Sequence, residues 1–192
     1  MEFEPVTLDG YEKYMEYYRK CMISCAETSF MTVWLEGVAF GVVQAFAHDF
    51  YWHKITWENE PAWLPPVGDW DSVTDWQALL TELVPAGTTF VFVPAYLLRK
   101  WQVFADRIEV EDMRSEWDYI YSIPRQVNAT GQVYRNWRAS LNRFAKRYPD
   151  WSSEPITVDI IDEIKAFQAE WMAENEGTES MNKLAETPHY PL

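Results

Sequence analysis

Positive charge is scarce in this sequence of 192 residues. It contains 16 Lys and Arg against 30 Asp and Glu, which gives a formal net charge of −14 at pH 7. A chain this acidic repels nucleic-acid phosphate at long range, which excludes a general nucleic-acid-binding protein. Any contact with a polyanion must therefore be confined to a local patch of basic residues.

Cysteine and histidine are also rare. Cys21 and Cys25 would share one face of a helix, but no histidine accompanies them at metal-ligand spacing. The simplest interpretation is two buried thiols in a reducing compartment, while a zinc site would need further ligands. A disulfide across one helical turn stays open as an alternative. No metal site is predicted.

No uncharged apolar run is long enough to cross a membrane. The longest apolar stretch, from Phe30 to Phe50, is interrupted by Glu36 and Asp49, and a spanning helix needs roughly 18 uncharged residues. The beginning of the sequence has no signal-peptide pattern. These features predict a cytoplasmic protein, which would reach a membrane only as a peripheral protein.

Several sequence motifs of enzymes are missing as well. The sequence has no Walker A loop, no Gly-x-Gly-x-x-Gly, no Gly-x-Ser-x-Gly and no zinc-protease helix. The Gln-x-x-Gly-x-Gly/Ala loop that binds coenzyme A in acetyltransferases is also absent. No cofactor is therefore predicted, and the catalytic residues stay unassigned.

Large aromatic side chains, in contrast, are abundant. Aromatic residues make up 17% of the chain, with 11 Trp and 11 Tyr. Such a chain can bury a large core, which excludes wholesale disorder.

Apolar periodicity predicts alternating helices and strands. The predicted helices are Tyr11–Met22, Ser29–Trp34, Asp71 or Ser72 to Leu83, and Pro94 to about Phe104. The predicted strands are Val38–Phe46, Phe50–Trp57, Thr88–Val93, Arg107–Glu111 and Trp117–Ser122. This order predicts an α/β (or α+β) domain over residues 1–173, with a mixed β-sheet flanked by helices. Residues 174–192 are predicted to form a flexible tail.

One stretch of the chain departs from the acidic composition. No Asp or Glu occurs between Asp118 and Asp150, and the gap contains six Lys and Arg. Gly131–Tyr148 is predicted to form a helix, with one apolar stripe expected to turn towards the sheet. The stripe consists of Tyr134, Trp137, Leu141, Phe144 and Tyr148.

The polar side of this helix is the candidate binding site. Arginine suits phosphate because its planar guanidinium group binds two oxygens at once. The residues predicted to bind substrate or phosphate are Arg135, Arg138, Asn142, Arg143, Lys146 and Arg147. The alternative interpretation is a solvated face that pairs with the protein's own carboxylates.

Four short motifs in the order of the chain resemble one known family. They are Pro66-Val-Gly-Asp-Trp70, Trp117-Asp-Tyr-Ile-Tyr-Ser122, Leu141-Asn-Arg-Phe-Ala-Lys-Arg-Tyr-Pro149 and Phe167-Gln-Ala-Glu-Trp171. Together they resemble the phosphatidylglycerol lysyltransferase C-terminal-domain family, from about Phe3 to Trp171. Arg138 matches the family's pattern, while its usual His-Lys-Lys run is replaced by Arg135-Asn136-Trp137.

The resemblance implies both a fold and an activity. Bacterial proteins of that family are built from two tandem GNAT-like halves. Characterised relatives transfer an amino acid from aminoacyl-tRNA to a lipid head group, without a metal or coenzyme A. Since this sequence matches essentially the first half, the expected fold is GNAT-like.

The expected function follows from the same resemblance. The chain is predicted to be one half of an aminoacyl-tRNA-dependent acyltransferase that is not catalytically complete alone. Its expected partners are aminoacyl-tRNA or an anionic lipid head group, and a second GNAT-like half or a second copy. The alternative is a non-catalytic module that binds or docks through the helix at 131–148.

Overall fold

The computed structural model describes residues 1–21 and 25–175, without the side chains of residues 38–40, 103 and 105. Contacts divide the chain into two compact units, of which the first covers Met1–Trp117 and the second begins at Asp118. The sequence predicted one domain over residues 1–173. Apart from Glu174 and Asn175, the predicted tail lies outside the described residues.

The first unit is an antiparallel sheet with helices on both faces. In the described chain, four strands follow one another in the order β1-β2-β3-β4. The strands are β1 (Glu4–Pro5), β2 (Val43–Ala47), β3 (Phe50–Trp57) and β4 (Glu60–Trp63). The helices are α1 (Tyr11–Tyr18), α2 (Phe30–Phe40), α3 (Trp76–Leu83) and α4 (Ala95–Trp101).

Two tight turns fix how the sheet's strands pair. Ala47 pairs with Phe50 and Trp57 pairs with Glu60, so each hairpin has a two-residue loop. The loop residues are His48–Asp49 and Glu58–Asn59, and all four have positive φ. Positive φ at both loop positions is typical of the type I′ turn, whose twist matches that of the flanking strands.

Strand β3 supplies side chains to two separate cores. Phe50 and Trp52 belong to one buried cluster with Trp76 of α3 and Leu97 of α4. Tyr51 lies in the other cluster, together with Tyr14 of α1. Because successive side chains of a strand point to opposite faces, this alternation places the sheet between two helical layers. The predicted α/β class, with a sheet flanked by helices, is confirmed.

Two predicted strand boundaries were wrong for local reasons. The region Val38–Phe46 was predicted as a strand, but α2 continues to Phe40 and ends at Gly41, whose φ of 72° forms a left-handed cap. Thr88–Val93 was also predicted as a strand, but only Phe90 pairs, in a parallel bridge with Trp63. Phe92 has a φ of 58°, which interrupts the extended backbone.

Two further predicted strands do not join the sheet. Arg107–Glu111 begins at the end of a 3-10 helix (Gln102–Arg107) and continues as irregular chain. Trp117–Ser122 forms no ladder with any described strand.

The predicted cap of α2 is confirmed. The Oγ of Ser29 accepts a hydrogen bond from the Thr32 amide at 3.3 Å.

The Pro66-Val-Gly-Asp-Trp70 segment pairs with β3 beyond the end of β4. Val67 forms a bridge with Tyr51, and the Trp70 indole N–H donates to the Pro66 carbonyl oxygen at 2.7 Å. Gly68 lies so close to β3 that an added Cβ would be 2.6 Å from the Phe50 ring and 2.7 Å from the Asp49 carbonyl oxygen. There is no room for a Cβ atom at this position, so glycine is required there.

Replacing Gly68 by alanine should destabilise the first unit. Overpacking of this kind costs about 1–3 kcal/mol of unfolding free energy, because backbone as well as a ring must move. Gly10→Ala is the matched control, since a Cβ there would meet its nearest neighbour at 4.0 Å. Urea unfolding of the two variants measures the difference, and equal midpoints would contradict the packing argument.

A polar pair lies beside the cluster that contains Tyr14, whose ring is 5.6 Å from that of His53. Gln44 of β2 stands opposite His53 of β3, and both are buried. Both ring nitrogens of His53 and the Oε1 of Gln44 have no hydrogen-bond partner among the described residues. Burial lowers the pKa of His53 from 6.5 to about 3, since a charged imidazole is costly in an apolar core. His53 is therefore neutral in the folded protein at neutral pH.

This histidine should make folding stability depend on pH. Below pH 6.5 the unfolded chain binds a proton on His53 that the folded chain does not bind until about pH 3. The stability contributed by the neutral form is present above pH 6.5 and is lost as the pH falls, at up to about 1.4 kcal/mol per pH unit. We expect the unfolding free energy of wild type to fall relative to that of His53→Leu as the pH is lowered from 7 to 4. Parallel pH profiles would contradict this assignment.

The second unit is helical in its described part. It contains α5 (Ile123–Asn128), α6 (Arg135–Arg147) and α7 (Ile161–Glu174). Short 3-10 turns at Gln132–Tyr134 and Val158–Ile160 lead into α6 and α7. Ala129 is buried, while none of the three helices contains a buried residue. This low burial distinguishes the second unit from the first.

A candidate phosphate-binding helix

Helix α6 forms where the sequence predicted it. The chain turns at Gly131, whose φ of 86° favours glycine, and passes through the 3-10 turn into α6. The helix ends at Arg147 and is capped by Tyr148, whose amide donates to the Phe144 carbonyl oxygen at 2.9 Å. The predicted span, Gly131–Tyr148, therefore includes both the turn that leads into the helix and the residue that caps it.

The apolar stripe of α6 remains largely in contact with solvent. Trp137 is 48% exposed, and Leu141, Phe144 and Tyr148 are exposed to a similar degree. The Phe144 ring contacts those of Tyr148 and Trp151, with centroids 5.1 and 5.9 Å apart. The sequence predicts that this stripe turns towards the sheet, and within the second unit the ring contacts of Phe144 are local.

The basic side of α6 is exposed and without ion pairs. Arg135, Arg143, Lys146 and Arg147 are exposed, as is Asn142. Among residues 1–21 and 25–175, salt bridges join His48 to Glu82 and Lys100 to Asp71, and none involves α6. The guanidinium group of Arg147 lies 5.5 Å from the centre of the Tyr148 ring. These side chains therefore keep their donors available to a ligand.

Arg138 has a different role from the other basic residues. Its Nη1 donates hydrogen bonds to the carbonyl oxygens of Ala129 and Gly131. Ala129 caps the C-terminal end of α5 with a left-handed φ of 44°. Arg138 therefore holds the connection between α5 and α6 in place. The sequence grouped it with the ligand-binding residues because helical spacing does not show such a contact.

Replacing Arg138 by glutamine should weaken this connection. Losing hydrogen bonds from a charged donor to two carbonyl groups costs about 1–3 kcal/mol. The Ala129 amide, which donates to the Arg125 carbonyl oxygen at 2.8 Å, reports the change through its hydrogen-exchange protection. Arg143→Gln is the matched control and should change stability by no more than about 0.5 kcal/mol. Equal protection in both variants would contradict the role assigned to Arg138.

The two units differ in net charge. Residues 1–117 contain 8 Lys and Arg against 19 Asp and Glu, a net charge of −11. Residues 118–175 contain 7 against 8, a net charge of −1, and no acid lies between Asp118 and Asp150. Positive potential is therefore concentrated along α6, where a negatively charged ligand would be attracted.

One charged cluster in the first unit was not predicted. The Tyr96 hydroxyl donates to both carboxylate oxygens of Asp71, at 2.7 and 3.0 Å, and Lys100 forms a salt bridge with the same carboxylate. The hydrogen bonds from Lys100 and Tyr96 lower the pKa of Asp71. The sequence indicated Asp71 only as a possible helix start. The contacts instead attach α4 to the segment that follows Gly68.

In the described part of the chain, no three His, Cys, Asp or Glu side chains are placed to hold a metal ion. The same residues include no helix with the length and hydrophobicity needed to cross a membrane.

Comparison with known proteins adds a family and a fold. The sequence model of the family described as phosphatidylglycerol lysyltransferase, C-terminal, matches residues 26–187. No curated protein sequence matches the chain. The structure is similar to the crystal structure of a conserved protein of unknown function from Bacteroides thetaiotaomicron VPI-5482, with a TM-score of 0.77 and 24% sequence identity. The match covers 95% of this chain but only 64% of that protein.

Proposed function

This chain belongs to the phosphatidylglycerol lysyltransferase C-terminal family, and from that premise we propose that α6 binds the phosphate of anionic lipid head groups. The ligand-binding residues are Arg135, Arg143, Lys146 and Arg147, with Asn142 as a neutral hydrogen-bonding neighbour. Arg138 supports the site by holding the turn before the helix.

The observation that carries the proposal is the unpaired basic face of α6. A helix that is merely solvated gains from Glu–Lys pairs one turn apart, by a few tenths of a kcal/mol each. This chain has 30 acidic residues, yet none occurs between Asp118 and Asp150. Acids would compete with an anionic ligand for the same guanidinium groups, so their exclusion supports a negative ligand.

The apolar stripe favours a lipid surface over RNA. Helices that lie at a membrane surface combine Lys and Arg on one face with Trp, Phe and Leu on the other. In α6 the second face contains Trp137, Leu141 and Phe144, each about half exposed. A lipid surface would cover this face, whereas contacts with RNA phosphate alone would leave it in water.

The acidic remainder of the chain limits the affinity. A net charge of −14 opposes approach to any anionic surface. Binding should therefore be modest and should weaken as salt screens the attraction over a Debye length of about 8–10 Å.

The family suggests the reaction to which this binding contributes. We propose that the chain is a GNAT-like part of an aminoacyl-tRNA-dependent transferase and does not carry out transfer alone. Exposed apolar side chains in the second unit, including Ile123, Val127 and Trp151, support a surface that further protein normally covers. Lipid binding without transfer, when vesicles and aminoacyl-tRNA are supplied together, is the expected result. Transfer by the isolated chain would contradict this part of the proposal.

Replacing Arg143 and Lys146 together by glutamine should weaken binding to phosphatidylglycerol vesicles. Each basic residue near an anionic surface contributes about 1 kcal/mol, so two should account for at least about tenfold in partitioning at low salt. Co-sedimentation with vesicles measures the effect, and phosphatidylcholine vesicles provide the neutral reference. Folding should be unchanged because both side chains are exposed.

The control removes the same charge from other helices. Arg19 follows α1 and Lys165 lies in α7, and both are exposed. Arg19→Gln with Lys165→Gln should retain most of the vesicle binding. Equal losses in the two double variants would show a general charge effect and overturn the site. Binding to bulk tRNA but not to phosphatidylglycerol would overturn the choice of lipid.

A further inference from the structure

A short exposed segment at the start of the second unit has the properties of a β-strand without a partner among the described residues. Asp118–Ser122 has the sequence Asp-Tyr-Ile-Tyr-Ser, which is rich in strand-favouring residues and contains neither Gly nor Pro. The rings of Tyr119 and Tyr121 stack on one side, with centroids 6.3 Å apart and planes 15° apart. Side chains two residues apart share a face in an extended strand, and Ser122 has extended dihedrals of −76° and 111°.

The backbone of Asp118–Tyr121 forms no hydrogen bond within the described residues. The Ser122 carbonyl oxygen accepts from Gln126 in the first turn of α5, whereas no backbone bond involves Asp118–Tyr121. The side chains are also open to solvent, with Tyr119 86% and Ile120 89% exposed. An exposed apolar strand with free N–H and C=O groups is a template for pairing with another chain.

We propose that Asp118–Ser122 pairs antiparallel with the same segment of a second copy of this chain, about a two-fold axis at Ile120. Ile120 then faces Ile120 of the other copy, and each Tyr119 faces a Tyr121. Cross-strand aromatic and β-branched pairs of this kind stabilise a sheet. The proposal does not depend on lipid binding by α6, because it uses no residue of that helix.

Charge favours a second copy as the occupant. Asp118 is the only charged residue of the segment. In the register centred on Ile120, each Asp118 faces Ser122 of the other copy. The two Asp118 carboxylates therefore do not face each other. Like charges directly opposite each other would destabilise the pair. The segment is thus complementary to itself in one register.

The pairing should be weak. Five residues a side cover less than the roughly 1,200 Å² of stable interfaces, even though Ile123 and Val127 of α5 are exposed beside them. A monomer–dimer equilibrium that depends on concentration is therefore expected. Isologous pairing about a two-fold axis closes at the dimer and does not extend into fibres.

Cross-linking tests which residues meet at the axis. Ile120→Cys is compared with Val133→Cys, since Val133 is 91% exposed in the same unit and lies outside the segment. A short thiol-to-thiol reagent should link Ile120→Cys into dimers at least about tenfold faster, because pairing holds the two thiols at high effective concentration. Wild type, which retains Cys21 and Cys25, sets the background. Equal rates for the two variants would overturn the proposal.

A charge exchange tests the register independently of thiol chemistry. Tyr119→Lys combined with Tyr121→Glu places opposite charges across the axis in both pairs, whereas Tyr119→Lys with Tyr121→Lys places like charges there. Analytical ultracentrifugation should give a dissociation constant at least about tenfold weaker for the Lys/Lys variant than for the Lys/Glu variant. Equal constants would overturn the register. A wild-type chain that stays monomeric at every concentration measured would overturn the pairing itself.

Discussion

Strand β3 must bury side chains on both of its faces, and the architecture of the first unit depends on this constraint. A strand buried on only one face would alternate large apolar and polar residues. In β3, Phe50, Tyr51, Trp52 and His53 are instead buried in succession. Each face therefore needs its own helical layer, and the two type I′ turns bring neighbouring strands back alongside. The constraint has an energetic consequence at His53, whose imidazole lies in the core without a partner among the described residues and is held neutral by burial.

The second unit follows a different physical rule. Its three described helices contain no buried residue. Large aromatic side chains such as Trp137 and Phe144, which usually pack in a core, are about half exposed to solvent. Its charge is also distributed differently, with the acids excluded from the stretch that contains α6. A surface that keeps both its apolar stripe and its basic residues available is suited to binding rather than to internal packing.

Much of the fold was predictable because local signals were strong. The bounds of β3 and the position of α6 were predicted correctly, because aromatic and β-branched residues marked the strand and an uninterrupted helical periodicity marked the helix. Errors arose where backbone conformation outweighed composition. Helix α2 continues to Phe40 and ends at the left-handed cap Gly41, although the sequence from Val38 is strand-like. Phe92 has a positive φ, which interrupts the strand predicted over Thr88–Val93. The contacts of Arg138 and Asp71 could not be predicted, because they join residues whose proximity depends on how the chain turns.

The central claim is that α6 meets an anionic lipid surface. Hydrogen–deuterium exchange of the wild-type chain, with and without phosphatidylglycerol vesicles, tests it most directly, with phosphatidylcholine vesicles as reference. We expect slower exchange in peptides covering residues 135–147 with phosphatidylglycerol vesicles but not with phosphatidylcholine vesicles. We expect no change in α3, which lies in the other unit. Unchanged exchange in α6, or equal slowing with both lipids, would contradict the claim.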